Sequence, residues 1–447
     1  MGSKADPSGG FRRWADTIIA AIRGAGARQQ LVTVGQDEGG VTDRLLNHFW
    51  GQGRVDYTVN HSWWRDDALL WNSIAAKTVA KPNLIGETGP QPVWSMDGTS
   101  RWDDVQGTPL VERKLALGFA NANAGVLHWD WTRSDDFGLL RRDGSQKQWM
   151  IPMGGIAAFA RDASAYATGA RMPEIALVLP QSLQLSVFNT WALTAQQNAV
   201  RSLYNHARGT AFAIGEYQLS QLPDAKLIIV PAPWVMSQNA WEMLMSRVRA
   251  GATLLISGRI DADEHWVPIP ERTRAWSVGY SPAALTSREG LVAWPGGSAR
   301  LSYSGERTTY AERGVLAEGE TFLDIPLGSG HILYFALPLE LADQVGEVGR
   351  IYRYAMTRAG VSDVYTTNLE DPGILICPTQ LKEATLYVLT SESAARNVAS
   401  FRDSMSKADL QVGLEPGRAA VLLVSREGRH GARYGTGRAE ILSLGVP

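Results

Sequence analysis

Apolar residues in the N-terminal third of the chain recur with two alternating spacings. Helical spacing, in which every third or fourth residue is apolar, predicts helices over residues 11–23, 42–50, 66–80 and 111–122. Short continuous apolar runs between these segments predict buried strands at residues 31–35, 55–59, 83–86 and 125–127. About four successive βα units are typical of a parallel sheet that is covered by helices.

The α/β pattern restarts after residue 172 and then gives way to strands alone. Apolar runs at 175–179, 227–231, 253–258 and 330–335, with helical segments among them, predict an open α/β domain over 173–361. Alternating runs at 384–389 and 419–424 predict a small β-sandwich over 362–447, with a flexible Gly- and Arg-rich tail from Arg426. The fold class is therefore α/β, with domains at 1–172, 173–361 and 362–447.

Polar and aromatic side chains collect where the predicted N-terminal strands end. In parallel βα folds, ligands and reactive groups lie at the C-terminal ends of the strands. The residues at these ends are Asp37, Glu38, His61, Trp63, Trp64, Glu87, Trp129 and Asp130. The strands themselves are apolar, so a structural role alone does not explain this pattern, and we expect a binding or catalytic site there.

Tryptophan is concentrated in the same region. The chain has 16 tryptophans, and ten of them precede residue 150. Indole rings either fill a core or form flat surfaces on which sugar rings can stack. The concentration therefore leaves open both a thick core and a sugar-binding cleft.

Four segments of residues 11–150 resemble, in order, the second half of the (β/α)8 barrel of the retaining glycoside hydrolases that include cellulases, mannanases and β-galactosidases. They are Val32-Thr33-Val34-Gly35, Asn60-His61-Ser62-Trp63, Ile85-Gly86-Glu87-Thr88-Gly89, and Trp129-Asp130-Trp131 with the loop to Ser145. Residues 173–360 resemble the flavodoxin-like domain that follows the barrel in some β-galactosidases. The fold implied is a partial (β/α)8 barrel, a flavodoxin-like domain and a β-sandwich.

The resemblance assigns expected roles to these residues. It implies that Glu87 is the nucleophile of a retaining glycosidase, because that mechanism needs one attacking carboxylate and a second carboxyl that acts as acid and then base. His61 would orient Glu87 or hold a sugar hydroxyl, and Trp129 would form the floor under the sugar. The remaining expected substrate-binding residues are Trp63, Trp64, Trp94, Trp102 and Glu38. No cofactor and no metal ion is implied.

The acid/base carboxyl has no counterpart in the sequence. The family carries it at the end of the fourth strand, and strands one to four are expected to be absent here. The chain would then be a fragment, be completed by a partner chain, or join a second copy. In a two-copy barrel, Asp130 or Asp135 would fall near the family's acid position, so Asp130 is a speculative acid. The exposed edges and apolar face of a half-barrel predict a homo-oligomer or a completing partner.

Composition excludes several other classes of protein. A net charge of −2 argues against a nucleic-acid binder, and a single cysteine, Cys377, argues against a disulfide framework. No apolar run reaches the ~18 residues that a membrane-spanning helix needs. The N-terminal residues lack the apolar core of a signal peptide, so we expect a cytoplasmic protein, unless a missing upstream segment changes this.

Three functions remain to be separated. The first is retaining hydrolysis of a β-linked galactoside, glucoside or mannoside. The second is a carbohydrate-binding or assembly protein that keeps the cleft but lacks its own acid/base residue. The third, a small-ligand site in the flavodoxin-like domain, is weaker because Pro180-Gln181-Ser182 replaces a Gly-rich phosphate loop after the first strand.

Overall fold

The chain folds into two compact units in a computed structural model. One unit contains Met1–Met172 together with Asp363–Pro447, and the other contains Pro173–Ser362. We call them unit 1 and unit 2. The structure describes residues 7–26, 29–35, 47–51, 53–62, 66–90, 103–134, 137–276, 279–280, 289–303, 314–315, 320–435 and 441–445. Within these ranges, no helix is long and apolar enough to cross a membrane.

The N-terminal part of unit 1 is built from βα units. Its elements are α1 (Pro7–Gly24), α2 (Asn47–Trp50), β1 (Thr58–His61), α3 (Asp66–Ala75), β2 (Asn83–Thr88), α4 (Asp104–Leu117), β3 (Val126–His128) and α5 (Met150–Ala163). The strands form a parallel sheet in the order β1-β2-β3. Their C-terminal ends therefore lie along one edge of the sheet.

Residues 31–35 are not a strand of this sheet, which corrects the prediction of a fourth βα unit. The segment does run beside the residues that precede β1, because the amide of Asp56 donates to the carbonyl of Val32 at 2.9 Å. The carboxylate of Asp56 in turn accepts a bond from the amide of Val32 at 2.6 Å. The carboxylate of Asp56 thus accepts the hydrogen bond that the Val32 amide would donate to a backbone carbonyl in a β-ladder.

Unit 2 is an open α/β structure. Its elements are β4 (Ile175–Leu179), α6 (Gln181–Gln184), α7 (Asn189–Arg201), β5 (Ala211–Gly215), β6 (Leu227–Val230), α8 (Gln238–Arg249), β7 (Thr253–Ser257), α9 (Glu271–Arg274), β8 (Gly279–Tyr280), β9 (Glu289–Trp294), β10 (Gly297–Ser302), β11 (Gly314–Val315), β12 (Phe322–Leu327), β13 (Gly330–Phe335) and α10 (Val345–Arg358). The main sheet has the order β12-β13-β7-β6-β4-β5, and only β12 runs antiparallel to its neighbour. Strands β4, β5, β6 and β7 are buried along their whole lengths, as expected for a sheet covered on both faces.

The C-terminal part of unit 1 consists of two four-stranded antiparallel sheets, in the orders β14-β17-β18-β21 and β15-β16-β19-β20. The strands are β14 (Tyr365–Thr367), β15 (Ile374–Gln380), β16 (Ala384–Ser391), β17 (Asn397–Asp403), β18 (Asp409–Leu414), β19 (Ala419–Ser425), β20 (His430–Tyr434) and β21 (Ile441–Gly445). A shared core that includes Tyr387, Phe401 and Leu422 joins strands from both sheets. Cys377 is buried in β15, and burial raises the pKa of its thiol to about 12.

The predicted flexible tail is wrong for the described residues beyond Arg426. Strand β20 pairs with β19, and β21 pairs with β18, so one strand is added to each sheet. Glycine and arginine in the sequence suggested flexibility, but the alternation of Ala432 with its exposed neighbour Arg433 satisfies a half-buried strand.

Candidate active site

Glu87 and His61 lie next to each other at the C-terminal edge of the sheet of unit 1. The two residues are aligned partners on the adjacent parallel strands β2 and β1. Nδ1 of His61 is 3.4 Å from Oε2 of Glu87. Their side chains are 26% and 20% exposed, so the pair is held by protein yet open to a ligand.

Backbone hydrogen bonds hold the three strand ends together around this pair. The amide of Ser62 donates to the carbonyl of Glu87 at 2.9 Å, and the amide of Trp129 donates to the carbonyl of Thr88 at 2.8 Å. The hydroxyl of Thr88 also donates to the carbonyl of Ser62 at 2.5 Å. The C-terminal ends of β1, β2 and β3 are therefore held in a common register next to the candidate side chains.

Gly86 is required by the close approach of β1 and β2 next to the pair. A Cβ at this position would lie 2.4 Å from Cγ1 of Val59, and real Cβ atoms do not come that close. Any larger residue would push Val59 away and change the separation of the strands. The glycine therefore helps to keep Glu87 within reach of His61.

Trp129 and Asp130 follow β3 at the same edge. The side chain of Trp129 is 48% exposed, which excludes a role as an ordinary core residue. Oδ1 of Asp130 accepts hydrogen bonds from both the amide and the hydroxyl of Thr132, at 3.1 and 2.6 Å. The carboxylate of Asp130 is thus engaged in a local turn, and the neighbouring Trp131 is 77% exposed.

Several residues predicted for the site lie outside the described residues. They are Glu38, Trp63, Trp64, Trp94, Trp102 and Asp135. The structure thus brings together Glu87 and His61, aligns the backbone before Trp129 with β2, and leaves the other expected platform residues as predictions.

A buried lysine supports the segment that follows Glu87, and the sequence analysis did not identify it. Lys114 of α4 is 1% exposed, and its Nζ donates to the carbonyl of Gly89 at 3.0 Å. It lies three residues after the buried Val111 and therefore on the same helix face. A lysine at a core-facing position was the available signal, because a buried ammonium group needs a specific acceptor.

His128 at the end of β3 is a second polar residue that the analysis did not single out. Its Nε2 is 3.1 Å from the carbonyl of Phe137, so the ring joins β3 to the following loop. Burial lowers the pKa of His128 to about 4, although the bond to Phe137 opposes the shift. The ring is therefore neutral near pH 7.

A network of buried side-chain amides links the strands of this sheet. The side-chain amide of Asn83 donates to Oδ1 of Asn60 at 2.9 Å and to Oδ1 of Asn123 at 2.8 Å. Its own oxygen accepts a bond from the hydroxyl of Thr58 at 2.8 Å. Asn60 and Asn83 are fully buried, so these bonds satisfy groups that would otherwise destabilise the core. The network joins β1 and β2 to the turn before β3.

Loop contacts extend the site toward α4. The carboxylate of Asp104 accepts bonds from the guanidinium of Arg141 at 2.7 Å and from the amide of Gln148 at 2.6 Å. Burial would raise the pKa of Asp104, but these two partners together hold it below its usual range. Arg141 belongs to the loop that the family resemblance places after the last barrel strand.

Metal binding has no candidate in the part of the chain that the structure describes. No group of three or more histidine, cysteine, aspartate or glutamate residues there could hold an ion.

Comparisons with known proteins identify a fold. No family model matches the chain, and no curated protein matches it. A catalytic mutant of a GH42 β-galactosidase from G. stearothermophilus superimposes with a TM-score of 0.66 at 13% identity, over 92% of this chain and 67% of that one. A β-galactosidase from Bacillus circulans sp. alkalophilus gives 0.65 at 12% identity, over 92% and 67%. An α-L-fucosidase from Paenibacillus thiaminolyticus gives 0.52 at 14% identity, over 80% and 61%.

The chain therefore has the fold of these glycoside hydrolase structures. It spans about two thirds of the length of the β-galactosidases. At identities this low the likeness concerns the fold alone.

Proposed function

We propose that this chain carries half of the active site of a retaining glycoside hydrolase that acts on a β-linked galactoside, glucoside or mannoside. The observation that carries the proposal is the His61–Glu87 pair, 3.4 Å apart at the C-terminal ends of adjacent parallel strands. This is the edge where βα folds perform their chemistry. Proteins of similar fold include a β-galactosidase and an α-L-fucosidase.

In the proposed reaction, Glu87 attacks the anomeric carbon of the sugar. A glycosyl–carboxylate bond forms as the bond to the leaving oxygen breaks, and a second carboxyl donates a proton to that oxygen. The deprotonated second carboxyl then takes a proton from water, which attacks the same carbon and releases Glu87. His61 contacts Oε2 of Glu87 and restricts its rotation, so that the carboxylate is oriented before attack.

Trp129 is proposed to form the floor of the sugar site. The backbone amide of Trp129 donates to the carbonyl of Thr88, the residue after Glu87, and its indole ring is exposed. The ring therefore lies at the end of the strand that carries Glu87. Sugar rings present apolar C–H faces that pack against an indole. The same role is proposed for Trp63, Trp64, Trp94 and Trp102, and Glu38 is proposed to bind sugar hydroxyls.

The acid/base carboxyl is proposed to come from a second copy or from a partner chain. Helix α1 supports association, because Trp14, Ile18 and Ile22 form a stripe along it and are 55, 42 and 37% exposed. Leu127 on the edge strand β3 is 55% exposed as well. Apolar groups in such a stripe are typical of an interface. Asp130 remains the speculative acid in the two-copy arrangement.

Association is tested by sedimentation of the parent protein and of Ile18→Ser. We expect an oligomer that dissociates more readily in the variant, because a hydroxymethyl group replaces the exposed apolar side chain at the centre of the stripe. The control is Val187→Ser, which alters an 86% exposed aliphatic residue in unit 2. A parent protein that sediments as a monomer at all concentrations would contradict self-association.

Covalent trapping tests the nucleophile directly. A 2-deoxy-2-fluoroglycoside with an activated leaving group should accumulate a glycosyl–enzyme bond, because fluorine slows both steps and the good leaving group speeds only the first. We expect mass spectrometry to find the sugar on the peptide that contains Glu87. Glycosidase activity without a label there, or a label on another carboxylate, would rule out this assignment.

A second candidate function is carbohydrate binding without hydrolysis. The observation in its favour is the pair of hydrogen bonds from Thr132 to Asp130, which engages this carboxylate within its own loop. Aryl β-glycosides with activated leaving groups need little acid assistance and separate the two functions. Oligosaccharide binding without any turnover of these substrates would favour the second candidate.

A further inference from the structure

A large cavity in unit 1 is lined by residues of two helices and of the β-sandwich. Its volume is about 800 Å³, which is within the range of small-molecule pockets. We call it the α4–α5 cavity. The lining residues that bear on its ligand are Val105, Glu112, Ile151, Arg418, Arg433 and Tyr434.

The α4–α5 cavity is separate from the proposed active site. Residues 105, 108, 109 and 112 of α4 line it, and this spacing marks one face of a helix. Lys114, which supports the segment after Glu87, is two positions beyond Glu112 and thus about 200° further around the helix. Helix α4 therefore presents one face to the cavity and a different one to the active-site loop.

Charged groups form an ordered floor in the cavity. The carboxylate of Glu112, only 2% exposed, pairs with Nη2 of Arg418 at 2.5 Å. The hydroxyl of Tyr434 donates to the same carboxylate. The ring of Tyr434 packs closely on α5, since a Cβ on Gly155 would lie 2.7 Å from it. These contacts tie β19 and β20 to both helices and keep the cavity walls in place.

Two features of the lining point to an anionic oxygen ligand. The side chain of Arg418 lines the cavity and is 17% exposed beside Glu112. Arg433 is exposed and forms no ion pair with the residues that the structure describes. With Glu112 ionised, the two arginines leave the lining with one net positive charge. Burial raises the pKa of Glu112 although Arg418 opposes the shift, and a neutral Glu112 would make the lining still more positive.

The remaining walls are apolar. Val105 and Ile151 are 52% and 76% exposed at the rim, and Pro109 and Pro152 lie beside them in the lining. Covering large aliphatic side chains at a cavity mouth with an apolar group is favourable, because it removes apolar surface from water. A ligand that suits both parts of the lining has an acidic oxygen group at one end and a hydrocarbon body.

We propose that the α4–α5 cavity binds a small organic carboxylate with an apolar body. The carboxylate is bound by Arg433 and by the partly exposed guanidinium of Arg418, and the apolar body packs against Val105 and Ile151. Arginine suits this role because its planar guanidinium matches the geometry of a carboxylate.

Calorimetric titration of the full chain with 4-phenylbutanoate tests the proposal. We expect saturable binding that is at least tenfold weaker for the uncharged analogue 4-phenylbutan-1-ol. Arg433→Gln should weaken binding of the acid at least tenfold, and Ile151→Ser should weaken it several-fold. Both residues are exposed, so the variants should fold, which circular dichroism verifies.

Matched controls distinguish the cavity from other surfaces. Arg402→Gln and Val398→Ser change an exposed arginine and an exposed valine on β17 of the same sandwich, outside the cavity lining, and should leave affinity unchanged. Glu87→Gln should also leave it unchanged. The proposal is overturned if 4-phenylbutanoate does not bind at millimolar concentration, if the alcohol binds equally well, or if Glu87→Gln rather than Arg433→Gln abolishes binding.

Discussion

The parallel sheets of the two units place their glutamates in opposite environments. In unit 2, Glu216 directly follows β5 and Glu340 lies in the segment after β13, and they are 1% and 0% exposed. In unit 1, the side chain of Glu87 at the end of β2 remains 20% exposed beside His61. A glutamate near the C-terminal end of a parallel strand is thus sealed in one sheet and accessible in the other.

The hydrogen bonds explain what the sealed carboxylates do. Glu216 accepts bonds from the amide and hydroxyl of Ser182 at 2.8 and 2.6 Å, and from the amide of Ser237 at 2.6 Å. Glu340 accepts bonds from Ser257, Tyr352 and the amide of Ala232 at 2.7, 2.7 and 3.1 Å. Burial raises the pKa of both carboxyls, and these bonds oppose the shift. Both groups therefore anchor loops, whereas the carboxylate of Glu87 stays partly accessible to solvent.

The largest expected effect concerns the accessible carboxylate. Glu87→Gln keeps the shape of the side chain but removes the attacking charge, so hydrolysis of an activated aryl glycoside should fall by about 10³-fold or more, or about 4 kcal/mol in barrier. The free energy of unfolding should change by less than about 0.5 kcal/mol, because the Glu87 side chain is partly exposed and its shape is kept. Turnover close to that of the parent protein would contradict the assignment.

The reverse behaviour is expected for a sealed carboxylate. Glu340→Ala leaves the donors of Ser257, Tyr352 and Ala232 buried without an acceptor and should destabilise unit 2 by about 3 kcal/mol in denaturant unfolding. Glu242→Ala, an exposed position on α8, is the matched control and should cost less than about 0.5 kcal/mol. Equal stability of the two variants would show that burial does not distinguish these groups.

Acid should reveal a buried base in unit 1. Burial lowers the pKa of His48 to about 4 from 6.5, although its bond to the carbonyl of Ala75 opposes the shift. Between these two pKa values, His48 is protonated in the unfolded chain but not in the folded chain. The free energy of unfolding therefore falls as the pH falls. From pH 7.5 to 5 the loss is about 2 kcal/mol for this residue.

His48→Gln keeps a side-chain donor for Ala75 but does not titrate. In denaturant titrations, we expect the variant to lose about 2 kcal/mol less than the parent over the same pH interval. The same pH dependence in both proteins would mean that His48 is protonated within the fold.

The smallest effect separates two exposed tryptophans. Trp129→Ala should weaken oligosaccharide binding by about 1 kcal/mol, or about fivefold, if its ring stacks on sugar. Trp266 of unit 2 is 37% exposed but packs edge-on against Trp234, with ring centroids 4.9 Å apart. Trp266→Ala is therefore the control and should leave the affinity unchanged by calorimetry. Equal affinity for Trp129→Ala and the parent protein would exclude Trp129 as a platform.

Local pattern predicted unit 2 better than it predicted unit 1. Strands β4 and β13 have the bounds that their apolar runs predicted, Ile175–Leu179 and Gly330–Phe335. Residues 31–35 have a similar apolar run but are not a strand, because Asp56 and Thr33 take part in bonds that a ladder would use. The tail after Arg426 shows the opposite error, since partner strands β18 and β19 order a segment of low apparent propensity.

The sequence by itself determined which candidate residues lie at the ends of the parallel strands. The residue types at the strand ends, Glu87, His61 and Trp129, were identifiable because a polar side chain directly after a buried strand has a predictable location. The tertiary structure alone decided which groups meet. Lys114 reaches Gly89 across 25 residues, and Arg418 reaches Glu112 across 306, distances along the chain over which no periodic pattern carries information. Partnership between distant side chains depends on how the elements pack, and packing is a property of the whole folded unit.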